Sequence, residues 1–257
     1  MTLRFNFKEY GDEIGALAVL AEPHLDATAV AVLNAYSTDL RTIRDSRHFE
    51  DQTWEIPTSA PLKTTVSEGK YEPNNRRGSH HVQAHISTTW QIKPVRRPGA
   101  KSVAVQEFDL SGKASTRVEF HDVTTGNLIG LWKMEVGNPG APGCHFHVGI
   151  GGEEDWPYFP STLSVPRLPS FLFSAMSVTE FVLNELFQDD WPKTAAKPHG
   201  RGAEQWNPIQ RKRLLSLLQW KYETVSAASK SSPWCDLKSE KPRRDLFVED
   251  STQLVRA

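Results

Sequence analysis

The sequence predicts an α+β fold in which an antiparallel meander of about five strands, residues 80–151, is packed by N- and C-terminal helices. Apolar and polar residues alternate with period two through this region, and short turn-forming stretches separate the alternating runs. Apolar residues recur at helical spacing both before and after it. Turns this short leave no room for crossover helices, so the pattern excludes a parallel, Rossmann-type sheet.

Residues 1–79 are predicted to be helical and irregular. The run from Arg4 to Lys8 alternates like a strand, and the run from Glu13 to Glu22 fits a short helix. Asp26 is a suitable N-cap for a helix that continues to about Thr42. Residues 45–75 show no clear period and contain scattered Pro, Ser and Thr, which predicts irregular surface chain.

Five alternating runs define the predicted strands of the sheet. They are Val82–Gln91, Ser102–Leu110, Ser115–Asp122, Leu128–Val136 and Cys144–Ile150. Turn signals lie between them, for example at Ser111-Gly112-Lys113. Connections this short favour strands that pair antiparallel with their neighbours in the chain.

Residues 152–230 predict a loop followed by helices, and residues 231–257 predict a polar tail. Ser177 and Glu180 have the spacing of a capping box. Asn207-Pro208 fits the start of a long helix, with Asn at the N-cap and Pro at the first helical position. The apolar stripe of that helix is Leu214, Leu215, Leu218, Tyr222 and Val225. The whole chain, residues 1–257, is predicted to form a single α+β domain.

Composition is that of a soluble globular protein, with 38% hydrophobic and 24% charged residues. The formal net charge of −1 excludes no class of partner. Cys144 and Cys235 lie far apart and neither has a C-x-x-C partner, which favours a reducing cytoplasm over a disulfide framework. The N-terminus lacks the apolar core of a signal peptide. We therefore expect a cytoplasmic protein without a membrane partner.

The last predicted strand carries a His-x-His pair. Cys144, Phe146 and Val148 alternate with His145 and His147, so the two imidazoles are expected on one face and the apolar residues buried on the other. Two histidines at this spacing can share a metal ion, and Asp155 in the acidic stretch that follows is a candidate third ligand. The alternative is a pair of histidines on the solvated face of a half-buried sheet.

Two more histidines are expected on the same polar face. His85 lies on the first predicted strand and His121 on the third. Together with His145 and His147 they are the candidate catalytic residues, as metal ligands or as acid–base groups acting on a phosphoester. His85-Ile86-Ser87 matches half of the two-histidine phosphoesterase signature, but no second copy follows. The sequence also lacks a P-loop, a dinucleotide fingerprint and a G-x-S-x-G nucleophile elbow.

Charge is distributed unevenly along the chain. Between Lys70 and Lys101 there are seven cations and one anion, and a second basic group lies at the start of the predicted long helix. Basic clusters with interleaved aromatic residues suit phosphate backbones, although many such runs are simply solvated surface. The candidate anion-binding residues are Arg76, Arg77, Arg96, Arg97, Arg167, Arg211 and Arg213.

These features predict an intracellular protein that interacts with a nucleotide or nucleic acid through a His-centred site. A metal-assisted phosphodiesterase or nuclease is the activity that such a site would support, with a divalent metal as cofactor. The alternative is a non-catalytic adaptor or complex subunit that docks a protein partner through Trp156, Tyr158 and Phe159. The pattern Pro-Gly-x-His-x-His-x-Gly, followed by Pro-Arg-Leu-Pro and a helix, is faintly similar to bacterial proteins encoded beside mobile elements and defence genes. That similarity would imply a defence-type role and no particular activity.

Overall fold

The structure is a computed structural model, and it describes residues 3–46, 48–69, 80–95, 106–136, 144–150, 168–196, 202–227, 232–239 and 241–248. It is an α+β fold of an antiparallel sheet packed by helices, as the sequence predicted. The strands are β1 (Arg4–Asn6), β2 (Gln52–Ile56), β3 (Leu62–Lys63), β4 (Ser67–Gly69), β5 (His80–Val95), β6 (Glu107–Asp122), β7 (Leu128–Val136), β8 (His145–Ile150) and β9 (Leu168–Pro169). The helices are α1 (Phe7–Leu20), α2 (Ala29–Asp45), α3 (Ala175–Leu186), α4 (Trp191–Ala195), α5 (Ala203–Ala227) and α6 (Pro233–Ser239), with a 3₁₀ turn at Glu22–His24.

All strands belong to one antiparallel sheet. Its main order is β2-β5-β6-β7-β8-β9, while β1 pairs with β6, and β3 and β4 pair with β5. Strands β5 and β6 are both 16 residues long and form the centre. The predicted meander from β5 to β8 is therefore present, and short N-terminal strands extend it along the outer edge of β5.

The predicted turn at Ser111-Gly112-Lys113 is wrong, because β6 runs straight through it. The irregularity is a bulge within β6, where the three residues Ser111, Gly112 and Lys113 lie opposite the single residue Gln91 of β5. The β5–β6 register shifts between Trp90 and Ile92, and the Gln91 side chain accepts a hydrogen bond from Lys113 N at 3.2 Å. A bulge of this kind lets a long strand continue where its sequence looks like a turn. What was predicted as two strands is thus one.

The prediction of irregular chain for residues 45–75 is also wrong over the described residues 48–69, since β2, β3 and β4 lie there. Buried and exposed residues alternate along β2, and Trp54 and Ile56 face the core. Trp54 stacks on Tyr36 of α2, with 3.9 Å between ring centroids, and its indole N–H donates to the Tyr36 carbonyl at 2.9 Å. The strand is therefore held by its contact with a helix as well as by the sheet.

One face of the sheet forms the hydrophobic core under the helices. An aromatic cluster lies at its centre, where the rings of Phe5, Tyr10, Trp54, Trp90 and Phe108 contact one another with centroids 5.3–6.2 Å apart. Several of these pairs are edge-to-face, the arrangement that the ring quadrupoles favour. Helix α1 supplies Tyr10, so this helix packs directly on the sheet.

The helix starts differ in part from the predictions. The N-cap of α2 is Thr28, so the prediction of Asp26 at that position is wrong, although Asp26 Oδ1 accepts from Thr28 N and Ala29 N at 2.8 and 3.0 Å. The capping box of α3 is formed by Ser174 and Ser177, so the predicted pairing of Ser177 with Glu180 is wrong. The missed signal is Ser174, three residues earlier.

The long helix α5 begins at Ala203 and so includes Asn207 and Pro208, which were predicted to start it. Its predicted apolar stripe does not face the core. Leu214, Leu215, Leu218 and Tyr222 are 41–69% exposed, whereas Leu217 and Trp220 are buried. Because apolar residues lie on both sides of this helix, the spacing alone does not show which side packs against the protein.

The C-terminal region contains more regular and buried structure than the sequence predicted. Helix α6 lies within the predicted polar tail, and Leu246 and Phe247 are buried. The Phe247 ring packs between Phe5 and Phe173, at 5.3 and 5.0 Å. Across the part of the chain that the structure describes, no helix combines the length and apolar character that a membrane crossing requires.

Candidate metal centre

The four candidate histidines all lie on the polar face of the sheet, opposite the aromatic core. In an antiparallel pair, residues directly opposite one another point to the same face. His85 on β5 is opposite Glu119 on β6, and His145 on β8 is opposite Glu135 on β7. Each of these glutamates therefore lies next to histidines that the sequence analysis had identified.

The first cluster consists of Glu135, His145 and His147. The two histidines are two apart on β8, and Glu135 faces them from β7. His145 Nε2 donates to Glu135 Oε2 at 3.1 Å, and His147 Nε2 lies 3.7 Å from the same oxygen. One potential ligand atom from each residue lies within 4.8 Å of the other two. Two imidazoles thus converge on one carboxylate oxygen.

Hydrogen bonds and neighbouring charges keep the carboxylate of this cluster ionised. The hydrogen bond from His145 is the largest cause that lowers the pKa of Glu135, to about 2; burial acts against it. Lys133 also lowers it, with its Nζ 2.6 Å from Glu135 Oε1. The side chain of His145 is 0% exposed and that of His147 is 18% exposed, so solvent approaches the cluster from the His147 side.

The second cluster consists of His85, Glu119 and His121. Here Glu119 and His121 are two apart on β6, and His85 faces them from β5. His121 Nε2 donates to Glu119 Oε2 at 3.2 Å, and the two imidazole rings are 4.4 Å apart between centroids. Again one potential ligand atom from each residue lies within 4.8 Å of the others.

The charges of the second cluster also affect one another. Burial alone would raise the pKa of Glu119, but the hydrogen bond from His121 and the charge of Arg117 outweigh it and lower that pKa. Burial is the main cause that lowers the pKa of His85, and the neighbouring charges of His121 and Lys63 act in the same direction. A neutral His85 retains a nitrogen lone pair, which a metal ligand needs.

The two clusters are separate sites. Glu119 is opposite Leu131 on β7, and Glu135 lies four residues further along that strand. At about 3.3 Å per residue the two carboxylates are roughly 13 Å apart along the strand direction. Two-metal catalytic centres hold their ions only about 4 Å apart. The four histidines therefore form two pairs, and they do not surround one ion.

The alternation of β8 places His145 and His147 on one face, as predicted, but burial differs from the expectation. Cys144 and His145 are buried, whereas Phe146 and Val148 are only half-buried. Among the described residues, the two-residue strand β9 is the one strand that follows β8 in the sheet. Burial raises the pKa of the Cys144 thiol to about 12, which makes it unreactive.

The structure separates the candidate anion-binding residues. Arg211 is exposed on α5, but Arg213 is 1% exposed and its guanidinium binds Glu13 in the core. Arg213 therefore does not contribute to a surface that a phosphate backbone could contact. The other predicted residues lie outside the described part of the chain: Arg76, Arg77, Arg96, Arg97, Arg167, the candidate ligand Asp155, and the docking residues Trp156, Tyr158 and Phe159.

Sequence reasoning did not identify Glu119 and Glu135 as candidate ligands. The signal for Glu119 was present, because it lies two residues before His121 on one strand. Glu135 required the β7–β8 register, which pairs it with His145. Lys133 and Arg117 were also not among the residues predicted for the site. They are opposite each other on β7 and β6, and they place two half-exposed cations between the clusters.

Comparison with protein-family models, with curated proteins and with solved structures finds no match for this chain.

Proposed function

We propose that the protein is a metal-dependent hydrolase of phosphate esters and that the first cluster holds its metal ion. The convergence of Glu135, His145 and His147 carries this proposal. With zinc–ligand distances of about 2.05 Å, the ligand atoms of a tetrahedral site are about 3.4 Å apart. The separations from Glu135 Oε2 to the two Nε2 atoms, 3.1 and 3.7 Å, are close to that value.

The ligand types favour zinc or a similar transition ion. Imidazole nitrogens suit zinc, nickel, copper and iron, whereas magnesium and calcium prefer sites made only of oxygen atoms. A site with two histidines and one glutamate is also typical of hydrolytic zinc enzymes, in which the fourth position takes water or substrate. A metal ion held by Glu135, His145 and His147 would lower the pKa of such a water to near neutrality and so supply the nucleophile for hydrolysis.

A phosphate ester is the substrate class that the neighbouring charges favour. Lys133 and Arg117 lie side by side on the sheet with side chains 38% and 44% exposed. His147 is opposite Lys133, so the cation is beside the proposed metal. A phosphate bound to the metal would bring its remaining oxygens toward these cations. Nucleotides and nucleic acid contain phosphate esters, so they are the substrates to test first.

The test combines metal analysis with hydrolysis. The protein is loaded with zinc or manganese, desalted, and assayed with bis(p-nitrophenyl) phosphate and with short DNA and RNA. His147→Ala is expected to lose one equivalent of metal and the hydrolytic activity. The matched control is His81→Ala, which removes an exposed histidine from the same sheet but not from either cluster. The proposal fails if His147→Ala retains the metal content and activity of the control.

A protein that docks a partner without catalysis is the second candidate. The exposed stripe of Leu214, Leu215, Leu218 and Tyr222 on α5 supports it, because long apolar stripes on a helix surface often mark protein contacts. Under this alternative, Leu215→Glu together with Tyr222→Glu would abolish partner binding while His147→Ala would not. Under either function we propose the cytoplasm as the compartment, since a buried thiol such as Cys144 suits reducing conditions.

A further inference from the structure

We propose that the second cluster, His85, Glu119 and His121, is a distinct binding site for a divalent transition-metal ion. This site goes beyond the proposed hydrolase centre and does not depend on it. The two sites repeat one arrangement of the antiparallel ladder, in which two ligands lie two apart on one strand and the third is directly opposite on its neighbour. The two sites differ in the position of the carboxylate. In the second site Glu119 is one of the two ligands on the same strand, whereas in the first site Glu135 is the ligand on the neighbouring strand.

The distances in the second cluster suit a metal ion. His121 Nε2 and Glu119 Oε2 are 3.2 Å apart, close to the edge of about 3.4 Å that a tetrahedral zinc site requires. In the structure the Glu119 carboxylate accepts a hydrogen bond from His121. A metal ion would take the place of that proton and bind both atoms, with His85 as the third ligand.

A hydrogen-bond chain outside the cluster orients His85 as a ligand. The Gln83 amide Nε2 donates to the Thr64 carbonyl at 2.8 Å, and a carbonyl can only accept. This contact turns Gln83 Oε1 toward His85 Nε2, which lies 3.1 Å away. His85 Nε2 must therefore donate its proton, and in the neutral ring the lone pair is on Nδ1. Metal-binding histidines typically have this kind of acceptor behind their second nitrogen.

The surroundings make this site accessible. The side chains of Glu119 and His121 are 26% and 24% exposed, so an ion can enter from solvent and retain water as a further ligand. The first cluster is more enclosed, with His145 fully buried. We therefore expect weaker binding and faster metal exchange at the second site. A carboxylate and two imidazoles favour zinc, cobalt, nickel or copper over magnesium.

Zinc titration of metal-free protein measures this directly. The background is His147→Ala, in which the first cluster has lost a ligand. One zinc equivalent should still bind per chain, and adding His121→Ala should abolish it. Adding His81→Ala, an exposed histidine on the same strand as His85, should leave binding unchanged. With cobalt, the His147→Ala protein should show the visible absorption of a four-coordinate ion.

Gln83→Ala tests the orientation argument without removing a ligand. On the His147→Ala background we expect zinc affinity to fall about 10–100-fold. A purely structural role for Gln83 would lower the melting temperature and leave zinc affinity unchanged. The proposal is overturned if His121→Ala binds zinc as tightly as its His147→Ala parent. It is also overturned if that parent binds no zinc at all. Neither result bears on hydrolysis by the first cluster, which the unmodified protein and His147→Ala test separately.

Discussion

The buried ion pair between Glu13 and Arg213 gives the sharpest stability prediction. Glu13 is 0% exposed on α1, and Arg213 is 1% exposed on α5. Glu13 also accepts hydrogen bonds from Ser174 Oγ at 3.1 Å and from Gln210 Nε2 at 2.8 Å. The guanidinium lies over the Phe5 ring, 5.3 Å from its centroid. The pair therefore joins three helices inside the core.

Arg213→Met should be strongly destabilising because it leaves the Glu13 charge buried without its counter-ion. Breaking a buried pair in this way costs about 3–5 kcal/mol. In a protein of 257 residues each kcal/mol shifts the melting temperature by about 2–4 °C, so the expected loss is about 6–20 °C. Thermal unfolding followed by circular dichroism measures this shift. Lys8→Met breaks the exposed pair with Asp12 and is the control, for which we expect no measurable change.

The double variant Glu13→Leu with Arg213→Met should be more stable than Arg213→Met alone. It removes both charges, so the desolvation cost disappears with them. Ser174 retains its contact with Ser177 N at 3.0 Å, and the half-buried Gln210 can turn to water. The remaining cost is that of one or two lost hydrogen bonds, about 1–3 kcal/mol. The reasoning is refuted if the double variant is as unstable as the two single losses added together.

Three further predictions concern local features. Gly202 has φ +88°, and a Cβ added there would lie 2.7 Å from the Ala16 carbonyl oxygen, so Gly202→Ala should lower the melting temperature. Gly15 lies inside α1 with open space around it, so Gly15→Ala should raise the melting temperature slightly. Native protein should react with a thiol reagent at the exposed Cys235 but not at the buried Cys144, which should react only after unfolding; mass spectrometry of the labelled peptides checks this. Burial alone would raise the pKa of Asp109, but Arg244 and Arg4 outweigh burial and lower this pKa in the folded protein. The Asp109 carboxylate therefore stabilises the fold fully above its unfolded pKa of about 3.9, and this stabilisation is lost as pH falls through its folded pKa. Asp109→Asn should therefore destabilise at pH 7, and urea denaturation should show the difference shrinking below about pH 4.

Strands with a long, one-sided alternation could be predicted from the sequence, whereas the short ones could not. Strand β5 alternates over most of its 16 residues, because one face contacts the core and the other does not. Strands β3 and β4 are two and three residues long, too short to show a period. They form because β5 offers hydrogen-bonding groups along its edge, and that information lies far away in the sequence.

The error at Ser111-Gly112-Lys113 also explains why the second cluster was not predicted. With a turn there, His121 would lie on the third strand of the meander and His85 on the first, with another strand between them. In the structure β6 is continuous and pairs directly with β5, so His85 and His121 are neighbours. A single local feature, the bulge of β6 opposite Gln91, thus decides whether these histidines can share an ion.

The apolar side of the sheet determines where the polar clusters form. Val118, Trp132 and Val148 are opposite one another on β6, β7 and β8, and their side chains point toward the core. The Trp132 ring contacts Phe120, Phe146 and Phe181 with centroids 4.5–5.7 Å apart, which resists any sliding of these strands. A slip of one residue would turn every side chain of a strand to the opposite face. The packing of Trp132 therefore holds Glu135 opposite His145. A variant that loosens this packing should weaken the metal binding that we propose for the first cluster, although it changes none of the proposed ligands.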